Sequence, residues 1–402
     1  MLPQEDKLAR RNAYVLALAQ AFGGALPSIN ISLGGLVGMY LLAAQSEIAT
    51  LPVTTMVVGL AAGTIPAAML LERLGRRLGF MVGSLIAALG GFVAFAGIMH
   101  GSFPVFCVGT FLGGVSGSFV HQYRFVAAEG ASPAFKGRAI STVLAGGVLA
   151  GVIGPQTVIW TKDFFLPTAY AGAFLAQAIL GLLGIFIIAL YKPGPRQVRP
   201  VGEDAVYKGR PLRVILRQPR VALAILCAVV SYSIMNLVMT AAPLAMLACG
   251  FTTEEAALGI QWHVIAMFAP SFVTGRLIAR FGAETITAIG LMLLGLCGVT
   301  ALLGIALVNF YVALILLGLG WNFGFIGATT LLTNAQRPEE RSRTQAANEF
   351  IMFGVVAIAS LSSGYLFATV GWQSINWTIF PVVALPLVIL TTLFLRGRTA
   401  RA

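Results

Sequence analysis

The feature that most limits this chain is a recurring run of apolar residues, roughly 20 or more long, from one end to the other. At a rise of 1.5 Å per residue such a run crosses a bilayer as a helix. Hydrocarbon offers no partner for a free N–H or C=O, so only helices or closed barrels can span it, and strand-like alternation is absent. Of the 402 residues, 58% are hydrophobic and 10% charged, which is too apolar for a soluble chain of this size. We read about twelve spans, at roughly 13–43, 47–71, 79–100, 102–128, 138–160, 167–191, 220–248, 253–278, 283–306, 308–332, 345–368 and 374–395. The first run continues past any plausible cleavage site, which argues against a cleaved leader. The expected class is an all-α, polytopic membrane protein.

A net charge of +12 raises the question of nucleic acid, and the charge map answers it. Lys and Arg cluster before the first span, in the 2–3, 4–5, 8–9 and 10–11 loops, in the 6–7 linker and in the tail. Of 26 such residues only Lys162 and Arg124 fall elsewhere. By the positive-inside rule, both termini are expected in the cytoplasm, and the basicity is a topology signal. Cys227 and Cys249 lie on one helix, about 33 Å apart, so they cannot bridge each other, and no disulfide framework is implied.

A polar, proline-bearing stretch at 192–219 divides the chain into 1–191 and 220–402. AMLLERLGRR (68–77) aligns with GRLIARFGAE (275–284), and SPAFKGRAIS (132–141) with RPEERSRTQA (337–346). Two parallel six-helix halves are therefore expected. The run Glu72, Arg73, Leu74, Gly75, Arg76, Arg77 resembles the loop 2–3 signature of major facilitator transporters, with Glu72 for the usual Asp and Ala68 for the leading Gly. The second copy keeps Gly275, Arg280 and Gly282 but has Ala279 at the acidic position. The resemblance implies two pseudo-symmetric halves, alternating access, a cytoplasmic latch at this motif and a monomer. It says little about cargo. Gly147, Gly151, Gly154 and Pro155 partly resemble the superfamily's antiporter motif. Small residues at this spacing also let helices pack closely, and that is the preferred role.

Two pairs at helical spacing stand near mid-membrane: Met235 with Met239 in span 7, and His263 with Met267 in span 8. Met246, Cys227 and Cys249 share the Met235 stripe, and Met56 is the repeat equivalent of His263. Methionine often fills irregular cores, whereas a mid-membrane histidine is a functional candidate by default. Thioether and imidazole groups suit Cu(I). The two pairs resemble those of the CcoA-like copper importers, bacterial proteins that supply copper for haem–copper oxidase assembly. The wider family also contains riboflavin-uptake members. The resemblance implies copper as cargo held by Met235, Met239, His263 and Met267, with Cys227, Cys249, Met246 and Met56 as relay candidates. It implies residence in the bacterial inner membrane and no cofactor.

The competing cargo is riboflavin or another small organic molecule, with Arg124, Tyr123, Tyr232, Asn236 and Trp262 as natural contacts. A copper-binding receptor that moves nothing is a third reading. His121, Arg124, Glu129 and Glu349 are candidates for coupling or gating, or for a plain salt bridge from Arg124 to Glu129 or Glu349. No phosphate loop, catalytic triad or zinc spacing is present, so neither an enzyme nor an ATP-driven pump is expected.

Overall fold

The structure is a computed structural model that describes residues 4–42, 46–129, 131–132, 135–193, 210–337 and 340–399. Most of the expected linker, residues 194–209, and the last arginine of the tail lie outside the described residues. Among the described residues there are only helices, turns and bends. In chain order the helices are α1 (Gln4–Gly23), α2 (Ala25–Leu42), α3 (Leu51–Arg73), α4 (Gly75–Met99), α5 (Phe103–Glu129), α6 (Lys136–Thr161) and α7 (Ala171–Ala189). They continue with α8 (Leu212–Leu216), α9 (Pro219–Ala248), α10 (Thr253–Phe268), α11 (Ser271–Phe281), α12 (Ala283–Leu302), α13 (Leu307–Ala335) and α14 (Arg341–Thr399).

Ten stretches are long and apolar enough to cross a membrane, and an eleventh is the bent pair α10 and α11. The long helix α14 is not continuous: Gly371, at φ 77° and ψ 178°, breaks it. Dividing it there completes the expected twelve. The first expected span is two helices, α1 and α2, meeting at Gly24. Span 8 bends by 43° between α10 and α11 because Pro270 has no N–H to give to the preceding turn. Its start is fixed locally. Thr252 Oγ1 accepts from the Glu255 N–H (3.2 Å), and the Glu255 carboxylate accepts from the Thr252 N–H (2.7 Å), a capping box written in the sequence as Thr-Thr-Glu-Glu.

Without water to drive association, membrane helices hold together by close contact, and glycines permit it. A Cβ on Gly114 of α5 would lie 1.9 Å from the Met56 carbonyl oxygen of α3, and one on Gly318 of α13 would lie 2.5 Å from the His263 carbonyl oxygen of α10. Met56 and His263 are the repeat equivalents named above, so the same helix crossing occurs in both halves of the chain. The turns carry the same signature. Gly75 (φ 80°) separates α3 from α4, and Gly282 (φ 85°) separates α11 from α12. Both need the left-handed region that glycine enters without strain.

A third correspondence lies at the end of the bundle that carries the basic loops, called the basic end below. In the first turn of α1, Asp6 accepts hydrogen bonds from the Ser132 N–H (3.0 Å) and hydroxyl (2.9 Å) in the α5–α6 connection. Before α9, Arg210 grips Glu340 in the α13–α14 connection with two guanidinium bonds, of 2.7 and 2.9 Å. The Arg210 guanidinium, more than the backbone N–H bonds from Arg337 and Arg210, holds the Glu340 carboxyl down to about 2.

A depressed carboxylate pKa stabilises the fold fully above its ordinary value of 4.5 and loses that contribution as pH falls through about 2. Glu340→Gln is therefore expected to lower the melting temperature in detergent at pH 7 by several degrees. The gap from wild type should narrow between pH 4.5 and 2; a gap independent of pH would contradict this assignment.

Candidate substrate site

Polar ties join the first six and last six spans at the end of the bundle away from the basic loops. Lys162, after α6, pairs with Glu254 at the start of α10 (2.8 Å) and with Asp163. Burial works against the Lys162 charge, but its hydrogen bonds to Asp163 and Glu254 outweigh that and hold its pKa above the ordinary value. Below it, Gln156 Nε2 donates to Gln261 Oε1 (2.9 Å). On the other flank, Thr54 donates to the Ser360 hydroxyl and Thr50 to the Ser360 carbonyl, each at 3.2 Å. Cβ atoms on Gly147 and Gly151 of α6 would meet Phe268 and Val264 of α10, so these glycines seat one half of the chain on the other. These four ties lie toward the end away from the termini. On the basic side of these ties lies the space between α5 and the last six spans.

Arg124 on α5 reaches into that space. It lies within electrostatic reach of Glu349 on α14 and Tyr232 on α9, both from the last six spans. Its guanidinium packs on the Phe125 ring (4.7 Å), and its buried Nε has no hydrogen-bond partner. Opposite Arg124, Tyr232 makes edge contacts with Trp321 (5.5 Å), Phe325 (5.5 Å) and Phe353 (5.8 Å). Trp321 and Phe325 are stacked at 5.2 Å and 14°, and Phe268 completes the cluster at 6.5 Å from Trp321. Such a box presents flat faces and ring edges to a cargo.

Helical angles separate two stripes on α9. At about 100° per residue, and with Cys227 as zero, Met235, Met239 and Met246 fall near 80–120°. Tyr232, Asn236 and Thr240 run from about 140° to 220°, toward the face (about 260°) where Leu244 meets Gly35 of α2. The polar stripe is thus turned toward the first six spans. Asn236 Oδ1, Thr240 Oγ1 and Trp321 Nε1 are buried without a partner. A buried polar atom left unpaired costs about 1–3 kcal/mol.

The sulfur stripe is buried in the apolar cluster of the last six spans. Cys227, Met235, Met239, Met246 and Met267 all belong to that cluster, as does Met56 from α3, with Cys249 packed at its edge. A Cβ on Gly259 of α10 would stand 3.6 Å from the Met246 sulfur, which places that sulfur against span 8. His263 is fully buried; its Nδ1 donates to the Leu314 carbonyl of α13 (2.8 Å), and its Nε2 has no partner. These side chains lie on a packed face, buried in that apolar cluster.

Other expectations are redrawn. Glu129 does not meet Arg124. It lies at the exposed end of α5 in a bidentate pair with Arg76 (2.6 and 3.1 Å). That ion pair of the latch motif stays within the first six spans, where it ties the α3–α4 turn to α5. Arg73, Arg77, Gly275 and Arg280 are exposed, and the Arg280 guanidinium lies over Phe281 (5.2 Å). Glu72 is exposed and engaged with a neighbour. His121 is exposed one turn before Arg124. Of the organic-cargo contacts, Tyr232, Asn236 and Arg124 converge. Tyr123 instead packs on Phe80 (4.7 Å) in the core, and Trp262 is 45% exposed with no ring partner.

Trp321, Phe325, Phe353 and Asn322 were not singled out in the sequence. Asn322 holds the break in span 8: its amide donates to the Met267 carbonyl (2.6 Å) and the Ser271 hydroxyl (2.8 Å), and it accepts from Thr274 (2.6 Å). A signal was present, since an asparagine in mid-span beside Trp321 is costly unless it has work of this kind.

A sequence profile described as Major Facilitator Superfamily matches residues 13–347 and 226–402. The chain belongs to that superfamily. It is 50% identical over 381 residues to the riboflavin transporter RfnT of Brucella anthropi, covering 94% of this chain and 95% of that one. It is 28% identical to YdeG, an uncharacterized transporter of the same superfamily from Bacillus subtilis, over 90% of this chain and 86% of that one. The crystal structure of a point mutant of the nucleoside transporter NupG shares the fold, at 13% identity and a TM-score of 0.71, over 94% of this chain and all of that one. The protein is a multi-pass membrane transporter and not an enzyme. These relatives lend the copper-importer resemblance no support.

Removing one member of the Arg124–Glu349 couple leaves an uncompensated charge in a low-dielectric space. Arg124→Ala is expected to lower the melting temperature and to reduce transport at least tenfold. Arg124→Ala with Glu349→Ala should regain the melting temperature but not transport. Equal melting temperatures for the single and double variants would show that the two charges do not interact.

Proposed function

We propose that this protein imports riboflavin, or a closely similar uncharged heteroaromatic molecule, across the bacterial inner membrane by alternating access, with the basic end in the cytoplasm. The 50% identity to a riboflavin transporter over nearly the whole of both chains carries this reading. The site's chemistry supports it independently. Riboflavin is a flat tricycle whose edge both donates and accepts hydrogen bonds, with a hydroxylated chain attached. The Trp321–Phe325 stack and the Tyr232 ring offer faces to the tricycle. Asn236, Thr240 and Trp321 offer unpaired acceptors and donors to its edge. Arg124 and Glu349 offset each other's charge, which suits a neutral cargo better than a cation. Cargo would leave toward the basic end as the ties at Lys162, Gln156 and Ser360 hold the opposite end shut.

In this reading the methionine pairs and His263 are interior packing of the last six spans. The test is uptake of labelled riboflavin by a riboflavin-requiring bacterium that carries this chain as its only importer. Base–aromatic stacking contributes about 1–3 kcal/mol, so Trp321→Ala should lower uptake at subsaturating riboflavin about tenfold or more. Met235→Leu with Met239→Leu should leave riboflavin uptake within about twofold, because volume-conserving apolar swaps are tolerated. Copper accumulation that depends on Met235, Met239 and His263, without saturable riboflavin uptake, would overturn the proposal in favour of the metal. Riboflavin binding to reconstituted vesicles without accumulation inside them would reduce the protein to a receptor.

A further inference from the structure

A second recess lies apart from the aromatic box, on the flank of the basic end. It is an open groove of about 670 Å³ lined by α1 (Arg10, Tyr14), the start of α6 (Arg138, Ser141) and Phe272 of α11, with Phe135 at its edge. It therefore lies on the seam between the first and last six spans, just beyond the Pro270 break. Arg10 and Arg138 are both exposed and have no ion-pair partner among the described residues. The Arg10 guanidinium lies 5.8 Å from the Tyr14 ring. The nearby carboxylates that would neutralise them are engaged elsewhere, Asp6 with Ser132 and Glu129 with Arg76. The remaining wall is apolar and open, with Tyr14 57% and Phe272 40% exposed.

We propose that this groove binds the headgroup of an anionic phospholipid from the surrounding leaflet. The two guanidiniums match a phosphodiester in charge and geometry. Tyr14, Phe272 and Ala145 give the glycerol and upper acyl chain an apolar wall, which a free phosphate in water would not use. The lipid touches α1 and α6 on one side and α11 on the other, so it fills the seam only while that seam is parted. It thereby stabilises the arrangement open to the basic end, and the lipid composition of the membrane sets how readily the transporter returns from it.

The site is tested first without any cargo. Purified protein in detergent, titrated with equal amounts of phosphatidylglycerol and phosphatidylethanolamine, is examined by native mass spectrometry. Each arginine near the surface contributes about 1 kcal/mol toward an anionic lipid, so the wild type should prefer phosphatidylglycerol by about 30-fold. Arg10→Gln with Arg138→Gln should bring that preference close to unity. Arg10→Lys with Arg138→Lys should keep most of it and serves as the folding control. The second arm measures riboflavin counterflow in vesicles of rising phosphatidylglycerol content, which should change the wild-type rate and not that of the Gln variant. An unchanged lipid preference in the Gln variant overturns the proposal. So does a counterflow defect that is equal at every lipid composition, which would make the groove part of the cargo path. Because the first arm needs no cargo, its outcome is independent of the riboflavin reading.

Discussion

Hydrocarbon cannot hydrogen-bond a peptide group, and everything else in this structure follows from that constraint. It forces each crossing into a helix. It removes the usual hydrophobic drive between helices and leaves close van der Waals contact in its place. Glycine backbones set against carbonyls, at Gly114 with Met56 and Gly318 with His263, are the result. It also makes every interior polar atom conspicuous. Asn322 satisfies the Met267 carbonyl at the break in span 8, whereas Asn236, Thr240, Trp321 and Arg124 carry buried atoms with no partner among the described residues.

The same constraint explains how the halves work against each other. The ties at Lys162, Gln156 and Ser360 lie at one end, and each is one or two hydrogen bonds. Contacts of that size can be exchanged at modest cost. Within each half the glycine-mediated crossings are backbone against backbone, and separating them would expose peptide groups to lipid. Two rigid bodies with a labile rim are the mechanical requirement of alternating access.

The aromatic box and the methionine stripe share one helix and one depth, and the distinction between them is one of angle. On α9 the two sets lie about a quarter of a turn apart. Spacing arguments placed Met235, Met239, His263 and Met267 at a common level. What spacing could not give is the direction in which the first six spans lie. The Leu244–Gly35 contact supplies that direction, and it brings Asn236 and Thr240, rather than the sulfurs, round to the shared space. The imidazole of His263 is likewise turned to a neighbour within its own half, the Leu314 carbonyl of α13.

By itself, the sequence determined the helical class, the approximate positions of the spans and the clustering of the basic residues. These depend on length, hydropathy and charge, which are properties of consecutive residues. It also marked Arg124, Tyr232, Asn236 and Glu349, because a polar group inside a span is costly wherever it points. Only the tertiary structure decided which groups meet. It paired Glu129 with Arg76 and left Arg124 to Glu349. It buried Tyr123 against Phe80, and it gathered Trp321, Phe325 and Phe353 around Tyr232 from helices 89 to 121 positions further along the chain. The physical reason is that a contact between helices depends on the rotation of each about its own axis. Packing against neighbours sets that rotation, and no local pattern along one helix records it.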